Sequence, residues 1–193
     1  SLRGFLDQSF NQLENIMVMD NWENGRAFVG LFADEMATTD NSSAVFTLHS
    51  GNWLSNAKSN TTFEIGNGGS TAISRSYKAL RINNRIINDI DKAPLTPEQK
   101  NEILGQAYFY RSWFYFQIIK RYGGMPIIDK VFEGGDDDIP RVTYHESHDW
   151  MMEDIQKAIY MLPDSWDDPN YGRPTKITAM ALKEWAQLFD ASP

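Results

Sequence analysis

The chain has 193 residues, a formal charge of −8 and a pI near 4.8, and its 18 lysines and arginines form no dense basic run. That balance would repel a phosphate backbone, so nucleic acid is excluded as a partner. The absence of cysteine removes disulfides and thiolate metal sites, while the length permits one or two domains with a real core.

In chain order, Ser1-Leu2-Arg3-Gly4-Phe5 does not read as a signal peptide, and no apolar run reaches the ~18 residues needed to cross a bilayer. A soluble or processed chain is expected. Phe5, Phe10, Leu13, Ile16 and Met17 recur at helical spacing, which predicts a first amphipathic helix over 5–19. A second is predicted over 26–36. Over 37–70 the composition shifts to Ser, Thr, Asn and Gly with single aromatics. No periodicity persists there, as in a long surface loop of the kind that often carries function.

Beyond Ser70, the residues Ile73, Tyr77, Leu80, Asn84 and Ile87 step by four, three, four and three along one helix face, ending near Asp91 and closed by Pro94. Thr96-Pro97-Glu98-Gln99 then supplies an N-cap, a first-turn proline and a capping-box Gln. The helix it opens runs to Tyr122, roughly 35 Å at ~1.5 Å per residue, and should form an antiparallel hairpin with the one before. Its aromatic, almost wholly apolar run from Leu104 onward cannot face water on any side, so other helices must surround it. Gly123 and Gly124 suit a left-handed C-terminal cap and Pro126 prevents continuation.

A second hairpin follows an acidic loop. Thr143 and Glu146 form another capping box before Trp150, Ile155, Ala158, Ile159 and Leu162, with a stop at Pro163. After a loop over 164–173, Pro174 and Thr175 open a last helix carrying Ile177, Met180, Ala181, Leu182, Trp185, Leu188 and Phe189. The expected fold is all-α: tetratricopeptide-like helix hairpins in an alpha-solenoid, with long irregular loops. Its organisation reads as 1–70, N-terminal helices and loop region, and 71–193, two hairpins.

Several motifs together resemble the SusD/RagB-like glycan-binding lipoproteins of the bacterial outer membrane. They are Tyr77 with Asn83-Asn84, Gly105-Gln106-Ala107 with Arg111 and Tyr115-Phe116, and Arg121-Tyr122-Gly123-Gly124-Met125-Pro126. Ile139-Pro140-Arg141, Asp154-Ile155, Met161-Leu162-Pro163 and Gly172-Arg173-Pro174-Thr175-Lys176 continue the series. Ala33-Asp34-Glu35 resembles the family's earlier Ser-Asp-Glu. The chain departs from the pattern at Gln106, where Glu is usual, and at Ser112-Trp113. The resemblance implies a non-enzymatic protein of the outer-membrane cell surface. Such a protein would be tethered by a lipidated N-terminal Cys absent from this chain, and would pass oligosaccharide or polysaccharide to a SusC-like TonB-dependent transporter. Family members are much longer, so the chain reads as an N-terminal piece without the family's C-terminal half.

Sugar binding needs flat aromatic faces flanked by amides, carboxylates or basic groups. His49, Asn52 and Trp53, with Asn56, Lys58 and Phe63 nearby, have that composition, and the resemblance puts this region on the glycan-facing side. The alternative is that Trp53 packs under its own loop. Trp166, Asp168 and Tyr171 form a second candidate, for which an inter-helix loop with one aromatic anchor is the favoured reading. Tyr108 to Phe116 read as core. Arg111 reads as a buried structural arginine with Asn84 and a carboxylate such as Glu102 as partners, and Asn83 and Asn84 as ties between helix backbones.

His145-Glu146-x-His148 lacks the HExxH spacing and a third ligand for zinc. Asp34-Glu35, Asp136 to Asp138 and Asp167-Asp168 read as solvated loop charge rather than hydrolase pairs or calcium ligands. Gly66-x-Gly68-Gly69 has no following lysine for a phosphate loop, and no cofactor is expected. A helical-repeat protein-interaction module without sugar binding is the alternative to the glycan-binding reading.

Overall fold

A computed structural model describes residues 2–13, 72–132 and 138–192. Five α-helices occur among them: α1 (Leu2–Phe10), α2 (Ala72–Asp89), α3 (Pro97–Tyr122), α4 (Tyr144–Met161) and α5 (Lys176–Asp190), with no strand among the described residues. None is long and apolar enough to cross a membrane. The chain divides into two compact units, Ser1–Gln12 with Ser76–Pro193, and Leu13–Arg75. Almost everything described belongs to the first, which is the all-helical, tetratricopeptide-like arrangement expected.

The first helix is shorter than its pattern predicts. It starts at Leu2 and ends at Phe10, where Gln12 N–H turns back to the Ser9 carbonyl at 3.0 Å, a tightened last turn. It buries Leu6 and Ser9 while Phe10 is 51% exposed. Of the predicted face, Phe5 and Leu13 are half-buried and Phe10 turns outward, a small hydroxyl able to bond Asn83 sitting inward in its place, while Ile16 and Met17 lie outside the described residues. Ser9 Oγ donates to Asn83 Oδ1 at 3.2 Å, and Asn83 Nδ2 donates to the Ala79 carbonyl at 2.8 Å.

Helix α2 buries Ala79, Leu80, Ile86 and, in the 3-10 turn Ile90–Lys92, Ile90. The chain then doubles back. Lys100 Nζ meets Asp91 Oδ1 at 2.9 Å near the apex, and Arg111 Nη1 meets Asn84 Oδ1 at 2.8 Å further down. These two contacts across one short turn define the antiparallel α2–α3 hairpin.

The start of α3 has the predicted capping box, with Thr96 and Gln99 each bonding the other's backbone N–H. Its body is the centre of the unit: Ile103, Ala107, Phe109, Tyr110, Phe114, Tyr115, Phe116, Ile118 and Ile119 are buried, and α1, α4 and α5 all pack on it. It is not dry all round, since Tyr108, Trp113, Gln117 and Lys120 are only half-buried.

Helix α4 lies so close to α3 that a Cβ on Gly105 would stand 3.0 Å from Met161 Cβ. Its inner face is more polar than predicted: Ser147, His148 and Asp154 are buried with Met151, Ile155 and Ala158, while Trp150 and Ile159 are half-buried. The last helix differs most. Ala179, Leu182 and Ala186 are buried, while Ile177 (67%), Met180 (49%) and Leu188 (71%) face out.

Between α3 and α4 the chain from Met125 to Asp129 belongs to no helix or strand, and side chains bond its backbone. Tyr115 Oη donates to the Met125 and Pro126 carbonyls at 3.0 and 3.2 Å, and Met125 N–H donates to Ser147 Oγ at 3.0 Å. Asn84 Nδ2 donates to the Ile128 and Lys130 carbonyls at 2.9 and 3.0 Å. Burial pushes the Tyr115 phenol up to about 12, so it keeps the proton it donates.

Gly123 caps α3 with φ +72°. Gly124 serves differently from the left-handed role expected of it: it makes room for the entry of α4, because a Cβ there would overlap the Val142 carbonyl oxygen and lie 2.7 Å from Tyr144 N. The obstacle is backbone and cannot rotate away. Gly124→Ala is therefore expected to destabilise the protein by about 1–3 kcal/mol or more, read as a lowered urea midpoint. An unchanged midpoint would show that the two segments part easily.

Candidate functional site

Of the candidate binding residues, His49, Asn52, Trp53 and Phe63 lie outside the described residues, as do Asp34, Glu35 and Gly66 to Gly69. Trp166 and Tyr171 lie in the loop joining α4 to α5, and that loop is organised by Arg173. Its Nη1 donates to Asp7 Oδ1 on α1 at 2.8 Å and to Gln106 Oε1 on α3 at 3.1 Å. Its Nε donates to Asn170 Oδ1 at 3.1 Å, and Asn170 Nδ2 donates in turn to Asp167 Oδ1 at 2.6 Å. Gly172, at φ +91°, lets the chain turn beside it. Gln106, where glutamate is usual in the resembled family, thus supplies a neutral acceptor while Asp7 supplies the charge.

Trp166 is half-buried and its indole N–H donates to the Pro174 carbonyl at 2.8 Å, fastening the loop's two ends. Tyr171 stands 90% exposed on the turn so formed. The two aromatics therefore share a loop but not a role: one is tied to backbone and the other offers a free ring beside Asp168. A ring face with adjacent oxygen acceptors can stack on a sugar's C–H face and bond its hydroxyls.

Arg111 and its surroundings form a buried polar cluster. The guanidinium grips Asp154 with two bonds, Nε to Oδ2 at 2.5 Å and Nη2 to Oδ1 at 2.9 Å, and reaches Asn84 with Nη1. The Tyr108 and Trp150 rings lie 5.4 and 5.0 Å from the guanidinium carbon. The suggested partner Glu102 is not involved: it pairs with Arg3 at 2.8 Å near the surface. Asp154, one helix further along, has the depth to meet a buried arginine, and the spacing of α3 alone could not reveal it. The cluster joins α2, α3 and α4, and its Arg111, Asn84 and Asp154 side chains are buried, with Lys157 reaching Asp154 Oδ1 at 3.4 Å from the surface side, which makes it structural.

A second aromatic group links α3 to α5. Phe116 meets Trp185 edge-on at 5.0 Å and Phe189 at 5.8 Å, and Trp113 lies 5.7 Å from Trp185. Lys120 Nζ sits 4.6 Å from the Trp185 ring centroid. Burial, with Arg121 adding, pushes Lys120 down from 10.5 to about 8, while the ring beneath favours the charged form. Because the folded state binds this proton less tightly, the unfolded chain carries more protons between those values, and stability rises with pH through that window. Comparison with Lys120→Met isolates the effect: the variant's stability advantage should shrink as pH rises from 8 to 10.5, and a constant difference in urea midpoint would refute the shift.

The two imidazoles of His145-Glu146-x-His148 occupy different surroundings. His145 is exposed, 3.6 Å from Asp190, whereas His148 is buried and stacked on Tyr144. Among the described residues no three His, Asp or Glu side chains gather to hold a metal. Asp138, Asp167 and Asp168 are exposed.

A family model described as SusD-like, starch-binding and associating with the outer membrane matches residues 6–183. A curated relative, SusD-like protein P38 of Formosa agariphila, is 28% identical over 102 residues, which is 52% of this chain and 20% of that protein. A SusD-like protein of Bacteroides fragilis superposes with a TM-score of 0.74 at 25% identity, covering 98% of this chain and 34% of that one. Surface glycan-binding protein A of Bacteroides thetaiotaomicron, solved with laminarihexaose, superposes with a TM-score of 0.68 at 18% identity, covering 98% of this chain and 38% of that one. The chain thus spans about a fifth of the length of the curated relatives it matches.

Proposed function

Since the chain belongs to the SusD-like family, we propose that it is part of a non-enzymatic, cell-surface glycan-binding protein of a bacterial outer-membrane nutrient-uptake system, working with a SusC-like TonB-dependent transporter. The family match over residues 6–183 carries this reading, and the laminarihexaose complex of a structural neighbour supports an oligosaccharide as ligand. Capture would fall to the region 37–70, with His49, Asn52, Trp53 and Phe63, by ring stacking and hydroxyl hydrogen bonds. In the α4–α5 loop Tyr171 would be the contacting ring and Trp166 its support. The helix hairpins would act as a rigid scaffold and as the surface meeting the transporter, a role favoured by the outward apolar side chains Ile177, Met180 and Leu188 of α5. A lipid anchor would lie outside these residues.

Titration with neutral glucan hexasaccharides in a calorimeter tests the reading. Trp53→Ala is expected to weaken binding about tenfold or more, near 1.4 kcal/mol, with the circular dichroism spectrum unchanged. Unchanged affinity would remove Trp53 from the site. Absence of binding to any glycan on an array, together with capture of a peptide ligand, would favour the protein-interaction module.

A further inference from the structure

An open groove of about 390 Å³ runs between the end of α1 and the middle of α2, lined by Gln8, Asn11, Gln12, Lys78, Arg81 and Ile82. Lys78, Arg81 and Ile82 fall at i, i+3 and i+4 on one face of α2, while Gln8 lies near the end of α1 and Asn11 and Gln12 lie in the turn that follows it. The two groups oppose each other over the buried Ser9–Asn83 hydrogen bond. One wall is therefore three planar amides and the other is two cations on an apolar seat.

We propose that this groove binds an acidic oligosaccharide through the anionic substituent of a sugar, a uronate carboxylate or a sulfate ester. The inference rests on the glycan-binding reading and narrows its substrate class. In a chain of net charge −8 several basic groups near these helices are paired with a carboxylate: Arg3 with Glu102, Lys100 with Asp91, Arg173 with Asp7, and Arg85 and Lys92 sharing Asp89. Among the described residues neither Lys78 nor Arg81 has such a carboxylate partner. Among the described residues Lys78 has no ion-pair or hydrogen-bond partner, and Arg81 makes only a 3.4 Å bond to the Phe132 carbonyl. No carboxylate lines the groove among the described residues.

Two unneutralised cations side by side attract a negative group, and arginine's fork matches the oxygens of a carboxylate or sulfate. The amides decide the rest of the ligand. Each offers a donor and an acceptor that can bond sugar hydroxyls, and among the described residues only a 3.4 Å bond from Gln12 Nε2 to the Gln8 carbonyl competes. Ile82 gives an apolar floor for the ring's C–H groups.

The test is calorimetry on the 193-residue chain with four probes of equal length: a uronic-acid hexasaccharide, a sulfated hexasaccharide, laminarihexaose and a hexaglutamate peptide. One acidic sugar should bind about tenfold or more tighter than laminarihexaose at low salt, as expected for charge-assisted bonds, and the stronger of the two acidic arms identifies the substituent. Lys78→Gln with Arg81→Gln should abolish that advantage and leave laminarihexaose affinity unchanged. Gln8→Ala with Asn11→Ala should weaken the acidic sugar but not the peptide. Equal affinity for acidic and neutral sugars, an advantage that survives Lys78→Gln with Arg81→Gln, or hexaglutamate binding as tightly as the acidic sugars would each overturn the proposal. If laminarihexaose binds without any acidic preference, the groove is ruled out while the glycan-binding reading stands. If no sugar binds, both fall. All four positions are on exposed helix surface or its edge, so matched spectra keep the comparison interpretable.

Discussion

Asp154→Ala is expected to lower the unfolding free energy by about 3–5 kcal/mol, because it strands a guanidinium in the interior. The side chains of Arg111 and Asp154 are 5% and 1% exposed. With Asp154 gone, Arg111 keeps only neutral acceptors, Asn84 Oδ1 at 2.8 Å and the Asp129 carbonyl at 3.5 Å. The attraction within the pair is largely offset by desolvation of both ions, so removing them together should be far milder. Arg111→Met combined with Asp154→Leu should stay within about 1–2 kcal/mol of the parent if the rings of Tyr108 and Trp150 repack on it. Urea denaturation of the three proteins decides the matter. A single variant within 1 kcal/mol of the parent would mean that water reaches the pair.

Phe116→Ala is the second large effect, about 3–5 kcal/mol by loss of a fully buried ring and the cavity left behind. Phe116 has no exposed surface and stands edge-on to both Trp185 and Phe189. It therefore holds α5 against α3 as well as filling space. The variant should lose stability and shift the emission of Trp185 toward that of water-exposed indole. Leu188→Ala, on the outer side of the same helix and 71% exposed, should change the midpoint by no more than about 0.5 kcal/mol. Equal effects at the two positions would contradict the orientation of α5.

The local rules were readable from the residues. Thr96 with Gln99 and Thr143 with Glu146 close their helices as their spacing predicts, since a cap depends on residues only three apart. The third box, Thr175 with Thr178, escaped because its N3 residue is a threonine rather than Glu or Gln. The hydrophobic pattern identified α3 as the centre, but it could not orient α1 or α5, where small or polar side chains face inward. Periodicity reports that a stripe repeats, and the partner helix decides which stripe is covered. The Arg111–Asp154 pair was illegible for a related reason: 43 positions separate the two residues, and only the crossing of α3 and α4 brings them together. In the candidate site, the residue types of the α4–α5 loop pointed to aromatics with carboxylates. Which ring is free depends on a single bond from Trp166 to the Pro174 carbonyl.

The contact between Arg173 and Asp7 joins residues 166 positions apart. Contacts between distant parts of a chain require a large entropic closure before they return any stabilisation, so they tend to form after local pairs such as α4 with α5. Docking of α1 then belongs among the final steps on the folding path, its interactions largely absent from the rate-limiting barrier. Weakening this clasp would chiefly accelerate unfolding and leave the refolding rate nearly unaltered, so the lifetime of the native state is set in part by how firmly a short first helix is fastened.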